Sequence, residues 1–229
     1  MKGSLHNASQ SFICRYCKAD RPITDGLNTD LHLDIGNGIS LEKVDKFCYL
    51  GDMMDADGGC DSAVTTRVRS AWKKFPILIG KGFSLKLKGK VYATCVRSCL
   101  MHGSETWPMK VEHKLKMNRT EMSMIRWMCG AKLNERKKSE ELRELLGLEP
   151  VSLMFKKSRL RWFGHVERKD DNDWIKRCIT WEVEGIRQRG CPKKTWWDCV
   201  KNDMESLGLS QKDAQSRNKW RKRIKGATG

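Results

Sequence analysis

The 229-residue sequence predicts a mainly α protein: a helical bundle with a short β element near the N-terminus and a second, smaller helical region toward the C-terminus. Three observations predict it. Apolar residues recur every three to four positions from Val64 to Leu207, in stretches that open on Ser, Thr or Asp and close on Gly or Pro. Only one run, Lys46-Phe47-Cys48-Tyr49-Leu50-Gly51, is rich in β-prone residues and ends at glycine. Nine tryptophans supply large buried area per residue, and 39% hydrophobic against 32% charged residues describes a folded core under polar surfaces.

In chain order, residues 1–40 are polar and glycine-containing, and read as loop with at most one short hairpin. The strand at 46–51 follows. Asp61 or Ser62 can cap a helix whose apolar positions are Val64, Val68, Ala71, Trp72 and Phe75, ended or kinked by Pro76. Ser84 opens a long helix to His102, with Leu87, Val91, Cys95 and Cys99 along the apolar face and Gly103 just past the end. A third covers about 110–129 through Val111, Leu115, Met122, Ile125 and Cys129, and Gly130 stops it. A short helix from Ser139 to Leu146 carries Glu140 and Glu141 in its electropositive first turn. Pro150 starts another, to about Arg168, before the polar break at 169–173. The segment 174–184 suits a brief strand or helix, and 186–194 a loop rich in Arg, Gly and Pro. Thr195 caps a helix bearing Trp196, Trp197, Val200, Met204 and Leu207. Ser210, with Asp213 in capping-box position, starts the last. The expected division is 1–40 as a poorly structured head, 41–130 as strand and first helices, and 131–229 as a basic helical extension, with a boundary near the charged loop at 131–138.

Charge is placed unevenly. Residues 1–60 hold 6 Lys and Arg against 9 Asp and Glu, residues 61–130 hold 14 against 4, and residues 131–229 hold 25 against 15, for a net charge of +17. An acidic head before a basic body suits a polyanion partner, because each phosphate neutralised releases counterions. No window is apolar enough to span or anchor in a membrane. The first residues lack the apolar core of a signal peptide, so the expected location is intracellular, in nucleus or cytoplasm. Ten cysteines in such a compartment read as free thiols or metal ligands, and Cys95, Cys99 and Cys129 as small buried hydrophobes.

Four carboxylates crowd the stretch 52–61: Asp52, Asp55, Asp57 and Asp61. No Glu closes a twelve-residue calcium loop, and a two-metal centre needs carboxylates converging from different elements. The reading is an acidic turn leading into a helix N-terminus. Cys14 and Cys17 have the spacing of half a zinc knuckle without a second pair, so they are either an incomplete zinc site or two exposed thiols. No other cofactor is expected. His165, beside Trp162 and Phe163, has no nucleophile at a readable spacing and is a packing or phosphate-contacting residue.

The basic features are more coherent. Arg67 and Lys74 on the first helix, and Lys86, Lys90 and Arg97 on the second, lie opposite the apolar faces. Lys156, Arg159 and Arg161 interleave with Trp162, a layout suited to phosphate contact with stacking, although core packing is the alternative for this indole. Arg187, Arg189, Lys193 and Lys194 flank an extended Gly190-Cys191-Pro192 segment that suits a minor groove. Lys219, Arg221 and Arg223 belong to a five-cation run. Together they nominate RNA or DNA as a partner, held with little sequence readout; the oligomeric state is not readable.

FCYLGD, RVRSAW, KGKVYATCVRSCLMHGSETW, MIRWMCG, RLRWFGHVER, RGCPKKTWWDCV and RNKW follow one another from about Leu41 to Gly226. Their order resembles the C-terminal part of LINE-type (non-LTR) retrotransposon endonuclease–reverse transcriptases. The resemblance implies that Tyr49, Leu50 and Gly51 match a β-hairpin that grips the primer, that the next helices match the thumb, and that the remainder matches the C-terminal extension. The family's Tyr/Phe-x-Asp-Asp box is absent from these residues. The only adjacent aspartates, Asp170 and Asp171, follow Arg168-Lys169 in a polar break. Two Mg²⁺ ions could not be held without such carboxylates. The expectation is therefore a truncated, non-catalytic derivative that retains phosphate-directed binding. The alternatives are a zinc-assisted or helix-mediated protein-interaction module, and a relic with no function.

Overall fold

A computed structural model describes residues 32–34, 40–42, 44–49, 51–56, 58–80, 82–180 and 194–227. It is mainly α, as the sequence predicts, and its strands form two small antiparallel hairpins. Strands β1 (His32–Asp34) and β2 (Ser40–Glu42) pair first. β3 (Lys46–Tyr49) then pairs with β4 (Asp52–Asp55), setting Tyr49 opposite Asp52 and Lys46 opposite Asp55. The stretch expected to be wholly an acidic turn is thus in part the returning strand of this hairpin.

Helix α1 (Asp61–Lys74) runs into a 3₁₀ turn at Phe75–Leu78, where Pro76 ends the α pattern. Its N-cap residue, Cys60, makes no capping bond. Asp55 supplies the acceptor instead, its Oδ2 receiving the Ser62 N–H at 3.2 Å. Helix α2 (Leu85–Val91) is capped by the Ser84 hydroxyl, passes through a π-helical turn at Tyr92–Arg97, and ends as α3 (Ser98–Met101). Then come α4 (Val111–Cys129), α5 (Ser139–Leu146), α6 (Val151–Glu167) and α7 (Trp174–Thr180). Helix α8 (Trp196–Ser206) opens on the expected Thr195 cap, which is a full capping box, with Thr195 Oγ1 accepting the Asp198 N–H and Asp198 Oδ2 accepting the Thr195 N–H, whereas Ser210, where a box was expected, makes no side-chain capping bond. The last helix starts later than the sequence suggests: Ser210 precedes a 3₁₀ turn (Gln211–Gln215), and α9 spans Arg217–Ala227.

Two cores result. The first gathers Val64, Ala71, Tyr92, Val96, Leu100, Met117, Met124, Leu142 and Phe155 between α1, the π turn, α4, α5 and the start of α6. It continues across the charged loop at 131–138. The second packs Leu160, Phe163, Val200, Ala214, Trp220 and Ile224 between the end of α6, α8 and α9. Helix α6 serves both, and α8 is tied back to the first through Trp196 Nε1, which donates to the Glu105 carbonyl at 2.6 Å. Among the described residues no helix is long and apolar enough to cross a membrane.

Several expected faces are rotated. On α2–α3 the buried side is Lys88, Tyr92, Val96 and Leu100, one position on from the expected Leu87, Val91, Cys95 and Cys99; Leu87 and Cys95 are exposed. On α4 the buried side is His113, Met117, Glu121, Met124, Met128 and the expected Ile125, with Met122 and Cys129 partly buried against it, while Val111 and Leu115 face solvent. Both rotations have one cause: polar residues with satisfied partners occupy the inner face, so a count of apolar spacing selects the wrong stripe. Among the described residues the buried cysteines are Cys60 and Cys199, whereas Cys99 and Cys129 are only half-buried.

Two glycines permit close approach. A Cβ on Gly89 would overlap the Leu146 carbonyl at the end of α5, and one on Gly164 would overlap the Trp220 indole. Trp220 Nε1 donates to the Leu160 carbonyl at 2.8 Å, so the ring cannot swing aside without losing that bond. Gly89→Ala and Gly164→Ala should each destabilise the fold by about 1–3 kcal/mol. The lowered urea midpoint should be larger for Gly89→Ala, where backbone rather than side chain must yield.

Candidate nucleic-acid interface

The sequence nominates cations, and the structure divides them by what each already holds. Arg97 is 4% exposed and lies in the first core. Its Nε donates to Glu121 Oε1 at 2.8 Å and its Nη2 approaches the same oxygen at 2.7 Å, while Nη2 also donates to the Glu149 carbonyl at 2.7 Å. Glu121 is completely buried, and it also accepts the Tyr92 hydroxyl at 3.3 Å and the Val151 N–H at 3.2 Å. Burial, with the Glu121 charge beside it, pushes the Tyr92 phenol far above its usual pKa. Arg159, fully buried, pairs with Asp203 at 2.5 Å, joining α6 to α8. Arg67 is buried beside Asp52 at 3.5 Å.

Expected as phosphate ligands, these three arginines are internal ties instead. The physical reason is local: each has a carboxylate on a facing element, and a buried charge without one would be far more costly. The expected stripe of Lys86, Lys90 and Arg97 therefore loses its third member. Lys86 and Lys90 remain exposed on α2, and Lys74 is exposed at the end of α1.

On α6, Arg161 is exposed and its Nε donates only to the Lys157 carbonyl at 3.3 Å, one turn back. Lys156 is half-buried and donates to the Ser206 hydroxyl at 2.8 Å. Trp162 is half-buried against His165, ring centroids 5.5 Å apart, and lies outside both cores; the core position is the next residue, Phe163. On α9, Lys219 and Arg223 flank Asp213 at 2.8 and 2.9 Å, with about half of each side chain still exposed, and Arg221 is exposed. Lys194 is half-buried near Lys114, whose ammonium is held below its usual pKa chiefly by burial, with Arg159 and Lys194 opposing its charge. Arg187, Arg189, Lys193, Leu50, Cys14 and Cys17 lie outside the described residues. Of the primer-grip match, Tyr49 is 41% exposed at the hairpin end and Gly51 lies in the turn.

The carboxylates near residue 55 do not converge. Asp52 faces Arg67, Asp55 caps α1, and Asp61 accepts from His113 Nε2 at 2.8 Å with Lys110 at 3.9 Å. Among the described residues no three His, Cys, Asp or Glu side chains gather as a metal would require. His113 also meets the Cys60 thiol through Nδ1 at 3.1 Å. A Cys–His–Asp series suggests a nucleophile, but Cys60 is 2% exposed and burial pushes its thiol up to about 12. Sequence spacing gives no sign of this series, because 53 residues separate Cys60 from His113.

No family profile and no solved structure matches the chain. Over 173 residues, 72% of the chain, it is 25% identical to a protein of Caenorhabditis elegans described as transposon-derived. The chain spans 62% of that relative's length.

Removing one side of the central buried pair leaves the other charge unmatched. Glu121→Ala should therefore cost about 3–5 kcal/mol, read as a lowered denaturant midpoint. A second expectation concerns pH. The bond from His113 holds the Asp61 carboxyl below its ordinary value of 3.8. Its contribution is therefore present above that value and lost as pH falls below it. Asp61→Asn should lower the urea midpoint at neutral pH and have little effect in strong acid; because Asp61 is largely exposed, the shift should be small.

Proposed function

We propose that this chain is a transposon-derived polypeptide that holds RNA or DNA through phosphate contacts, with little sequence readout and no catalysis of its own. The observation that carries the reading is a set of exposed cations with no carboxylate partner among the described residues. These are Lys86 and Lys90 on α2, Arg161 on α6 and Arg221 on α9, in a chain of net charge +17. Helix α9 adds Arg217 and Lys222 to its outer face, while Trp220 and Ile224 fix its inner one. Phosphate binding requires no more than such fixed positive charge, and counterion release supplies the affinity. The resemblance to the thumb and C-terminal extension of LINE-type reverse transcriptases supports duplex holding, and the transposon-derived relative supports that origin.

A second reading rests on a different observation. Ile77, Ile79, Phe83 and Leu87 are 71, 48, 55 and 43% exposed around the link between α1 and α2. Four open apolar side chains along one short link suit a protein partner. Phe83→Asp with Ile77→Asp should abolish such an association and leave nucleic-acid binding intact.

Affinity for a labelled RNA–DNA hybrid should fall by about 0.7–0.9 log units per log unit of salt for each phosphate contacted. Replacing Lys86 and Lys90 by Gln should weaken binding to all sequences alike and flatten that slope by about two contacts. A folded chain that binds no hybrid at low salt would overturn the reading.

A further inference from the structure

A groove of about 510 Å³ runs between α1 and α4, lined by Trp72, Leu115, Lys116, Arg119, Thr120 and Ser123, with Glu112 at one end. None of the cations counted above lies in it. Trp72 comes from α1, is 37% exposed, and is braced edge-to-face on the buried Phe75 at 5.4 Å. Lys116 crosses the groove, donating to the Thr65 hydroxyl at 2.8 Å, and its ammonium charge acts on Asp61 one turn back along α1 without a direct ion pair. Arg119, one turn on, is exposed, and its guanidinium makes no ion pair among the described residues. One turn beyond Ser123 on the same side of α4 stands Trp127, 65% exposed. Two open indoles and two cations thus share one face, the cations nearer the start of α4 and Trp127 nearer its end. The distance along α4 from Lys116 to Trp127 is about 16 Å at 1.5 Å per residue.

We infer that this groove is a binding site for single-stranded nucleic acid, with Lys116 and Arg119 on phosphates and Trp72 and Trp127 stacking on unpaired bases. The inference rests on the nucleic-acid reading above and adds a distinct site and strand state to it. Charge and ring faces together select this occupant. An anion alone would need only the cations, and an apolar peptide would not match the Lys–Arg pair. A duplex keeps its bases stacked on each other, so two exposed indoles can be covered by bases only if the strand is single. The Thr120 and Ser123 hydroxyls donate back to the Lys116 and Arg119 carbonyls at 2.8 and 3.0 Å, so toward the groove they offer acceptor capacity only.

The test uses the full chain, a short labelled oligothymidylate, the matching oligouridylate and, in parallel, the RNA–DNA hybrid. Trp127 lies at the surface and outside both cores, so Trp127→Ala leaves the fold intact. It should lower affinity for both oligomers about five- to a hundred-fold while keeping the salt slope. Lys116→Gln with Arg119→Gln should instead flatten the single-strand slope by about 1.4, two contacts at about 0.7 each. Neither change should move hybrid binding by more than about twofold. Oligomer binding unchanged by Trp127→Ala, or a flattened slope without any effect of the indole, would overturn the groove assignment while hybrid binding persists. Loss of hybrid binding in the unmodified chain would instead remove the broader reading.

Discussion

The ion pair between Arg97 and Glu121 is the constraint on which the first core depends. Glu121 sits in the middle of α4 with no access to water, and four donor contacts from two elements converge on it: two from Arg97, one from Tyr92 and one from the Val151 backbone. Arg97 and Tyr92 both come from the π-helical turn, and Val151 opens α6. A buried carboxylate tolerates this only when its lone pairs are filled. The geometry of the π turn, the rotation of α4 and the starting point of α6 are therefore fixed by one another. Arg97 closes the set by reaching the Glu149 carbonyl just before α6, so the link α5–α6 is held by the same guanidinium.

The second region repeats the device with a smaller cast. Arg159 and Asp203 join α6 to α8, and the Trp220 indole, seated on Gly164, joins α6 to α9. A chain of such strong positive charge thus commits three of its arginines, including Arg67 against Asp52, to internal use. The exposed positive charge is distributed over α2, the outer faces of α6 and α9, and the α1–α4 groove. This division explains how a basic protein can keep an ordered interior: Arg67, Arg97 and Arg159 each face a carboxylate inside, and the exposed cations remain in water, where repulsion is screened.

The GHVER and KGKVY stretches look from sequence alone like part of a basic, functional surface, yet their glycines answer to packing. Gly164 makes room for an indole 56 residues away and Gly89 for a backbone carbonyl 57 residues away. Conversely, the α1–α4 groove was not legible. Trp72 reads as a core residue by its spacing, Trp127 carries no distinguishing signal, and Lys116 and Arg119 look like any solvated helix face. Only the approach of two helices puts them beside one another.

What the sequence alone determined is the mainly α character and most helix limits, because those follow from local chemistry. Ser84 satisfies an orphan N–H of α2, Thr195 and Asp198 cap each other at α8, Pro76 cannot continue α1, and Gly130 ends α4 without a steric penalty. What only the tertiary structure decided is which face of each helix is buried and which cations remain free. Those depend on the location of the opposing carboxylates, and a carboxylate 24 or 44 residues distant leaves no trace in local periodicity. Tyr92, Arg97, Glu121 and Arg159 went inside because partners met them there. Leu87, Val111 and Leu115 stayed outside because no apolar surface did.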